Sequence, residues 1–590
     1  MANDFENGRG FSRRDFLRYS ASAGALVGVG RSLSASEKVA LASEWGRSVT
    51  SFEWEESTIA ELQAAMRAGD LTSRELTRAY LERIHDVDWS GPQLNSVIEI
   101  NPDALGIARQ LDSERRAGQL KGPLHGIPVL LKDNIATADR LETTAGSFAL
   151  LGSVPPRDAF VARQLRRAGA VILGKTNLSE WANFRSFQSS SGWSARAGQC
   201  LNPYVLSRNP IGSSSGSGAA VAANLAAASL GTETDGSIMA PSGGNSVVGI
   251  KVTLGLTSRS GVVPIAHSQD VVGPMARTVA DAATVLGAIV GVDPRDRATR
   301  QSRGHFRTDY RPFLRAEALE GARIGVWRRG VFGFTPEGDR VANSAISAMR
   351  ELGAVIVDPA NIPNVFAAFG PEFTVLLYEF KHDLRAYLAQ LTKSRVRWLG
   401  DVIRFNERHA DVEMPWFGQE LFRLAAQSGP LTDPVYLEAR RRSKRLMRRA
   451  ITDVMDRHNL DAIVSLTVGP PHTTDLVNGD LFLTASSTPA AVAGFPSITV
   501  PAGYDSRELP VGISFIAKAW QEPKLIALAY SFEQGTKKRH APKFLASLGS
   551  SDFVPRNQRD TLPSTRLKGL RSGEPEAATS ERRLRPWALG

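Results

Sequence analysis

The stretch of this 590-residue chain best equipped for chemistry is 209–251, NPIGSSSGSGAAVAANLAAASLGTETDGSIMAPSGGNSVVGIK. Two Gly/Ser clusters there flank an Ala-rich, helix-forming segment. Small residues permit tight turns and close backbone approach, and they leave N–H groups free to meet an anion or a developing oxyanion. A flexible linker joins separate units, whereas these clusters bracket a helix and a short strand. A serine hydroxyl in such a turn becomes a useful nucleophile once a base takes its proton.

Gly212-Ser213-Ser214-Ser215-Gly216 fits G-x-S-x-G, the nucleophile elbow of hydrolases, with Ser214 at its centre. The elbow needs a strand directly before it, and Arg208-Asn209-Pro210 reads instead as a turn. None of the seven downstream histidines sits in a motif that singles it out, so the match is read as chance. The single cysteine, Cys200, excludes an intramolecular disulfide and a Cys-based zinc knuckle, and it reads as a small packed residue. No His/Asp/Glu cluster has ligand spacing, so neither a metal nor a cofactor is expected.

The surrounding elements must position this stretch. Ile59, Leu62 and Met66, then Leu76, Tyr80 and Ile84, recur at helical spacing around a Thr72-Ser73 turn and cap. From 124 onward, short apolar runs alternate with helical ones: Val129 to Leu131 and Val171 to Leu173 as strands, with Val161, Leu165 and Ala168 on one helix face between them. The pattern recurs at Arg323 to Trp327, Ala354 to Asp358 and Asp461 to Leu466. It closes with Val511, Ile513 and Phe515 ahead of a helix through Leu525, Leu528, Ala529 and Phe532. Alternation of this kind predicts an α/β fold with helices on both faces of a sheet. Residues 365–450 read as largely helical, the natural place for a substrate-side insertion.

Several motifs in fixed order resemble the amidase signature family. They are Gly122-Pro-Leu-His-Gly-Ile-Pro-Val-Leu-Leu-Lys132-Asp133-Asn134, Thr143-Thr-Ala-Gly-Ser147, Gly174-Lys-Thr-Asn177, the Gly/Ser stretch, Ala493-Gly-Phe-Pro496 and Leu509-Pro-Val-Gly512. Asn177-Leu-Ser-Glu-Trp-Ala-Asn183, Ser191-Gly-Trp-Ser-Ala-Arg196, GTETDGS at 231–237 and Thr473-Thr-Asp-Leu-Val-Asn-Gly-Asp480 are similar to a subgroup, the bacterial peptide amidases. The resemblance spans about 55–540. It implies a single large domain over 50–540, a mixed, mostly parallel twisted β-sheet covered by helices on both faces.

It also implies a Ser-cisSer-Lys triad, with Ser237 as nucleophile, Ser213 as the cis serine after Gly212, and Lys132 as base. Burial would push the Lys132 ammonium toward its neutral form, letting it accept a proton through Ser213 while Ser213 takes one from Ser237. The backbone N–H groups of Thr234, Asp235, Gly236 and Ser237 would form the oxyanion hole. Ammonia would leave with a proton from the relay, and water would hydrolyse the acyl-enzyme on Ser237. The side chains of Asp133, Asn134, Ser214, Ser215 and Asp235 are read as turn formers that hold the site. Ile211 and Ser215 replace glycines common in the family, and Val464-Ser-Leu-Thr467 lacks a proline often found there.

The expected substrate is a small-molecule or peptide amide, with the C-terminal amide of peptides favoured. Two readings compete within the family: a glutamyl-tRNA amidotransferase A-type subunit, and an aryl or aliphatic amidase. A silent binding fold is disfavoured because all three triad residues are present. The net charge of +11 sits mostly at the ends: +2 in residues 1–50 and +7 in residues 537–590, leaving +2 for the 486 residues between. That distribution argues against a nucleic-acid partner. The dense run Arg440, Arg441, Arg442, Lys444, Arg445, Arg448 and Arg449 is predicted to lie on a solvated helix.

At the N-terminus, Ser12-Arg-Arg-Asp-Phe-Leu-Arg18 precedes an uncharged stretch from Tyr19 to Gly30, and Ala40-Leu-Ala42 reads as a small-residue cleavage site. Residues 1–42 therefore resemble a twin-arginine export signal, which predicts use of that machinery, a periplasmic or secreted protein and no stable membrane insertion. Residues 541–590, rich in Arg, Pro, Ser and Glu, read as a polar basic tail.

Overall fold

The computed structural model describes residues 51–548. The expected export signal at 1–42 and the part of the expected 541–590 tail from 549 onward lie outside the described residues, whereas 541–548 pack on the body, the Phe544 and Leu545 N–H groups donating to the carbonyls of Pro203 (3.2 Å) and Tyr204 (3.2 Å). Thirteen strands follow in chain order: β1 (Val97–Ile100), β2 (Pro128–Lys132), β3 (Val171–Thr176), β4 (Trp193–Ser194), β5 (Gly198–Gln199), β6 (Ala228–Glu233) and β7 (Val248–Lys251). Then come β8 (Val271–Ala276), β9 (Arg323–Val326), β10 (Val355–Val357), β11 (Ala462–Leu466), β12 (Ser497–Tyr504) and β13 (Pro510–Ile516). Strands β4 and β5 form a separate ribbon, and the other eleven form one sheet in the order β1-β3-β2-β6-β8-β7-β12-β13-β11-β9-β10.

The sheet is mixed. Parallel pairing holds in two flanking blocks, β3-β2-β6 and β11-β9-β10. The middle runs antiparallel from β6 through β8, β7, β12 and β13 to β11, and β1 joins β3 antiparallel. Local connectivity sets this division: a short turn after Tyr504 returns the chain into β13 as a hairpin, while parallel neighbours need a crossover. Strands β2, β3, β6, β8 and β13 are buried at every position, as helices on both faces require.

The entry helices Ile59–Ala68 and Ser73–Arg83 each begin with a capping box, Thr58 with Glu61 and Thr72 with Glu75. Helix Ser215–Ala222 is buried along its whole length, which its small side chains allow. A Cβ on Gly216 would lie 2.3 Å from the Ser96 carbonyl oxygen and 2.5 Å from that of Asn177.

Residues 365–450 carry the helices Phe366–Leu388, Leu399–Arg408, Ala410–Glu413 and Glu420–Gln427 and the start of Pro434–His458. Their apolar faces form a second core around Phe380, Leu384, Leu421 and Phe422, which also takes in Trp181 and Phe184 from the main body. The basic run lies on helix Pro434–His458 and is not wholly solvated. Arg448 Nε donates to the Ala493 carbonyl (2.8 Å), and Arg440 reaches within 3.9 Å of Glu379. Among the described residues no helix is long and apolar enough to cross a membrane.

Candidate active site

Lys132 ends β2, and the strand delivers its side chain into the interior, where it is fully buried. Its Nζ lies 2.8 Å from Ser213 Oγ, 3.0 Å from Ser214 Oγ and 3.3 Å from the Thr232 carbonyl oxygen. Burial pushes the Lys132 ammonium down to about 7, against the opposing pull of Glu233 and Asp270. An amine held there is neutral for a large share of the time at neutral pH and can take a proton from a hydroxyl beside it.

The Gly212-Ser213 peptide bond is cis. Just before it, Ile211 takes φ +59°, a left-handed conformation that costs a β-branched residue energy and suits the glycine it replaces. The Ile211 side chain packs with Ala240 and Val468, which gives the larger residue a place. Ser214 Oγ donates to the Thr232 carbonyl (3.1 Å) while receiving from Lys132, so this serine is a second partner of the lysine as well as a turn former.

Ser237 stands in the turn after β6, 4% exposed, and its carbonyl accepts from the Ser214 N–H (3.2 Å). Glu233 closes that turn, its Oε2 accepting from Ile238 N (2.7 Å) and Met239 N (2.9 Å). Between these anchors the N–H groups of Thr234, Asp235, Gly236 and Ser237 donate to no acceptor among the described residues. Gly236 takes φ +82°, which lets the turn fold tightly. Four such donors in sequence make a nest suited to an oxyanion.

The supporting side chains hold the site as the sequence suggested. Asp133 is buried and accepts from the Thr144 hydroxyl and the Gly146 N–H (3.3 Å), with Arg196 at 3.5 Å. Asn134 Nδ2 donates to Thr232 Oγ1 (2.9 Å). Ser215 opens the buried helix. Burial holds the Cys200 thiol well above its ordinary range.

The motifs of the expected subgroup also meet. Asn177 Oδ1 accepts from Ser194 Oγ (2.7 Å), and Asp480 accepts from the Ser191 N–H (2.9 Å), Ser191 Oγ (2.5 Å), Asn209 Nδ2 (3.2 Å) and His472 (3.2 Å). Thr467, in the stretch that lacks the family's proline, exchanges hydrogen bonds with Thr499 (2.7 Å) and Ser514 (2.8 Å) inside the sheet.

Three groups near the turn were not legible in the sequence. Asp270, held near 6 by burial, accepts from Thr234 Oγ1 (2.6 Å). Gln269 and Glu372 meet at 2.8 Å. His267 lies 2.9 Å from Asp383 and 3.4 Å from Glu379, a grouping that no local spacing announces because the residues come from a loop and a distant helix. Glu379 already accepts from Tyr436 (2.8 Å) and the Ser268 N–H (2.8 Å), so these residues form an ion-pair network.

The comparisons with known proteins agree with this architecture. The amidase family profile matches residues 75–526, and the chain belongs to the amidase signature family of amide-hydrolysing enzymes. The crystal structure of native peptide amidase from Stenotrophomonas maltophilia is similar, at 49% identity and a TM-score of 0.80, over 84% of this chain and all of that one. A probable amidase of Arabidopsis thaliana is 47% identical over 505 residues, 84% of this chain and 93% of the relative. The A-type subunit of the glutamyl-tRNA(Gln) amidotransferase of Moorella thermoacetica is 36% identical over 492 residues, 81% of this chain and 96% of the relative.

Proposed function

We propose that this amidase hydrolyses the C-terminal carboxamide of peptides to the free acid and ammonia, with Ser237 as nucleophile, Ser213 as proton relay and Lys132 as base. The observation that carries the reading is the buried, depressed Lys132 amine 2.8 Å from Ser213 Oγ. Neutral Lys132 accepts the Ser213 proton, Ser213 accepts that of Ser237, and Ser237 Oγ attacks the amide carbon. The oxygen becomes negative within the turn 234–237, where loss of one donor typically costs about 3 kcal/mol of barrier. The proton returns through the relay to the departing ammonia, and water then releases the acid from the acyl-enzyme.

Likeness to a peptide amidase at 49% identity supports the peptide class. So does the exposed Phe187, which packs against Phe373 (5.9 Å) on the helix that carries Glu372 and offers an apolar surface to a peptide side chain. Ammonia release from peptide amides, aryl amides, short aliphatic amides and free glutamine, assayed side by side, tests the reading. Peptide amides are expected to be turned over fastest. Preference for free glutamine would favour the amidotransferase-type reading, which the 36% identity to such a protein motivates.

Export by the twin-arginine route forms part of the proposal, on the order of paired arginines, uncharged stretch and small residues in 12–42. Fractionation of cells making the full chain is expected to find it outside the cytoplasm. R13K/R14K is expected to retain it inside, and equal distribution of the two would refute the route.

A further inference from the structure

Asp235 lies inside the turn that carries Ser237, and Glu372 reaches it from helix Phe366–Leu388 in the insertion. Glu372 is buried and Asp235 half-buried with its Oδ1 shielded from water, and the two carboxyls lie within hydrogen-bonding reach of each other. Glu372 Oε1 accepts from Gln269 Nε2 (2.8 Å), which also approaches the Thr234 carbonyl (3.4 Å). Asp235 Oδ2 accepts from Thr488 Oγ1 (2.6 Å). Asp235 Oδ1 is buried without a hydrogen-bond partner, although the Ser487 hydroxyl stands nearby. What remains after these bonds is one oxygen on each acid, and two ionised carboxylates in contact repel strongly. A proton on the free Glu372 oxygen satisfies both.

We infer that Glu372 and Asp235 share one proton, and that this carboxyl–carboxylate hydrogen bond ties the insertion helix to the nucleophile turn, making Glu372 a positioning residue for amide hydrolysis. The inference rests on the proposed role of Ser237. Burial raises Glu372 well above the ordinary carboxyl range and Asp235 to about 6, in keeping with a retained proton. The charged groups facing the pair are Glu233, which disfavours a second negative charge, and Lys251, which favours one. Lys251 in turn feels Lys444 on helix Pro434–His458. When the shared proton leaves, two adjacent carboxylates push apart and the turn loses its brace.

The sign of the pH effect follows. A carboxyl raised in the folded state contributes stability that is complete below its unfolded value and is lost as pH rises through its folded value. Gln at 372 supplies a permanent N–H donor to Asp235 and removes that titration.

The test uses the full chain as wild type, E372Q and E372A, with melting temperature followed from pH 5 to 9 and kcat and KM measured on an N-blocked dipeptide amide. The melting difference, E372Q minus wild type, is expected to rise with pH. E372A is expected to lose roughly 10- to 100-fold in kcat with KM within about twofold, as a slightly misplaced nucleophile would. E372Q is expected to recover much of that loss and to lack the wild type's loss of melting temperature at alkaline pH. A melting difference flat with pH overturns the shared proton. A sloped difference with kcat unchanged in E372A overturns the positioning role. If wild type releases no ammonia while the melting difference still slopes, the proposed function fails and the shared proton stands as a structural feature alone.

Discussion

Lys132 Nζ lies 2.8 Å from Ser213 Oγ with no water-exposed surface on the lysine, so the charge on this amine is governed by the protein interior. Burial lowers it to about 7, while Glu233 and Asp270 restrain the fall. The base form is therefore the form that predominates above that value.

The first prediction concerns pH. With Lys132 as base, kcat/KM on a peptide amide rises about tenfold per pH unit below 7 and levels off above it, because the protonated amine accepts nothing. The rate profile from pH 5 to 8 checks this. A rate independent of pH across that range would remove Lys132 from the role of base.

The second prediction concerns packing behind the site. Gly216 lets the buried helix approach two carbonyl oxygens, and a Cβ there would stand 2.3 Å from the Ser96 oxygen. Gly216→Ala is expected to cost about 1–3 kcal/mol, since backbone must shift to admit the methyl group. Urea denaturation measures it, and unchanged stability would show that the helix has room to move.

The third prediction concerns the mount of the insertion. Arg185 is fully buried, 2.6 Å from Glu180, and donates to the carbonyls of Phe417 (3.1 Å) and Gly418 (3.0 Å) with Phe417 stacked at 4.4 Å. Arg185→Ala leaves Glu180 buried without its cation, with only the Ala195 N–H (3.2 Å) and Glu413 beside it, and is expected to cost about 3–5 kcal/mol. Denaturant titration of the variant checks it. A loss below about 1 kcal/mol would mean that Glu180 is protonated and needs no partner.

Much of the fold was legible in the sequence because many of its strands are short apolar or alternating runs separated by helical patterns. β2, β3, β9, β10, β11 and β13 fall where those runs lie. The central strands β8 and β12 were not legible. Pro274 and Gly273 interrupt β8, and Pro501 and Gly503 interrupt β12, so neither reads as a strand locally. The structure accommodates them at irregularities: the ladder from β8 to β7 runs through Ala276 and Met275 and stops before Pro274, and β12 shifts register between Pro501 and Gly503.

The site divides in the same way. Lys132, Ser213 and Ser237 stand in motifs whose order along the chain can be recognised. Glu372 stands in an unremarkable helical stretch and gains its place only when helix Phe366–Leu388 folds over Asp235. Contacts between segments so far apart leave no mark in spacing.

The most direct test of the account is to mix the full chain with an N-blocked dipeptide amide, quench in acid, and search the digested protein for the acyl group, beside Ser237→Ala assayed for ammonia. An acyl mass on the peptide containing Ser237, with ammonia release lowered by at least about 10⁴-fold in the variant, is the expected result. Ammonia release undiminished in Ser237→Ala would contradict the assignment of the nucleophile and the mechanism built on it.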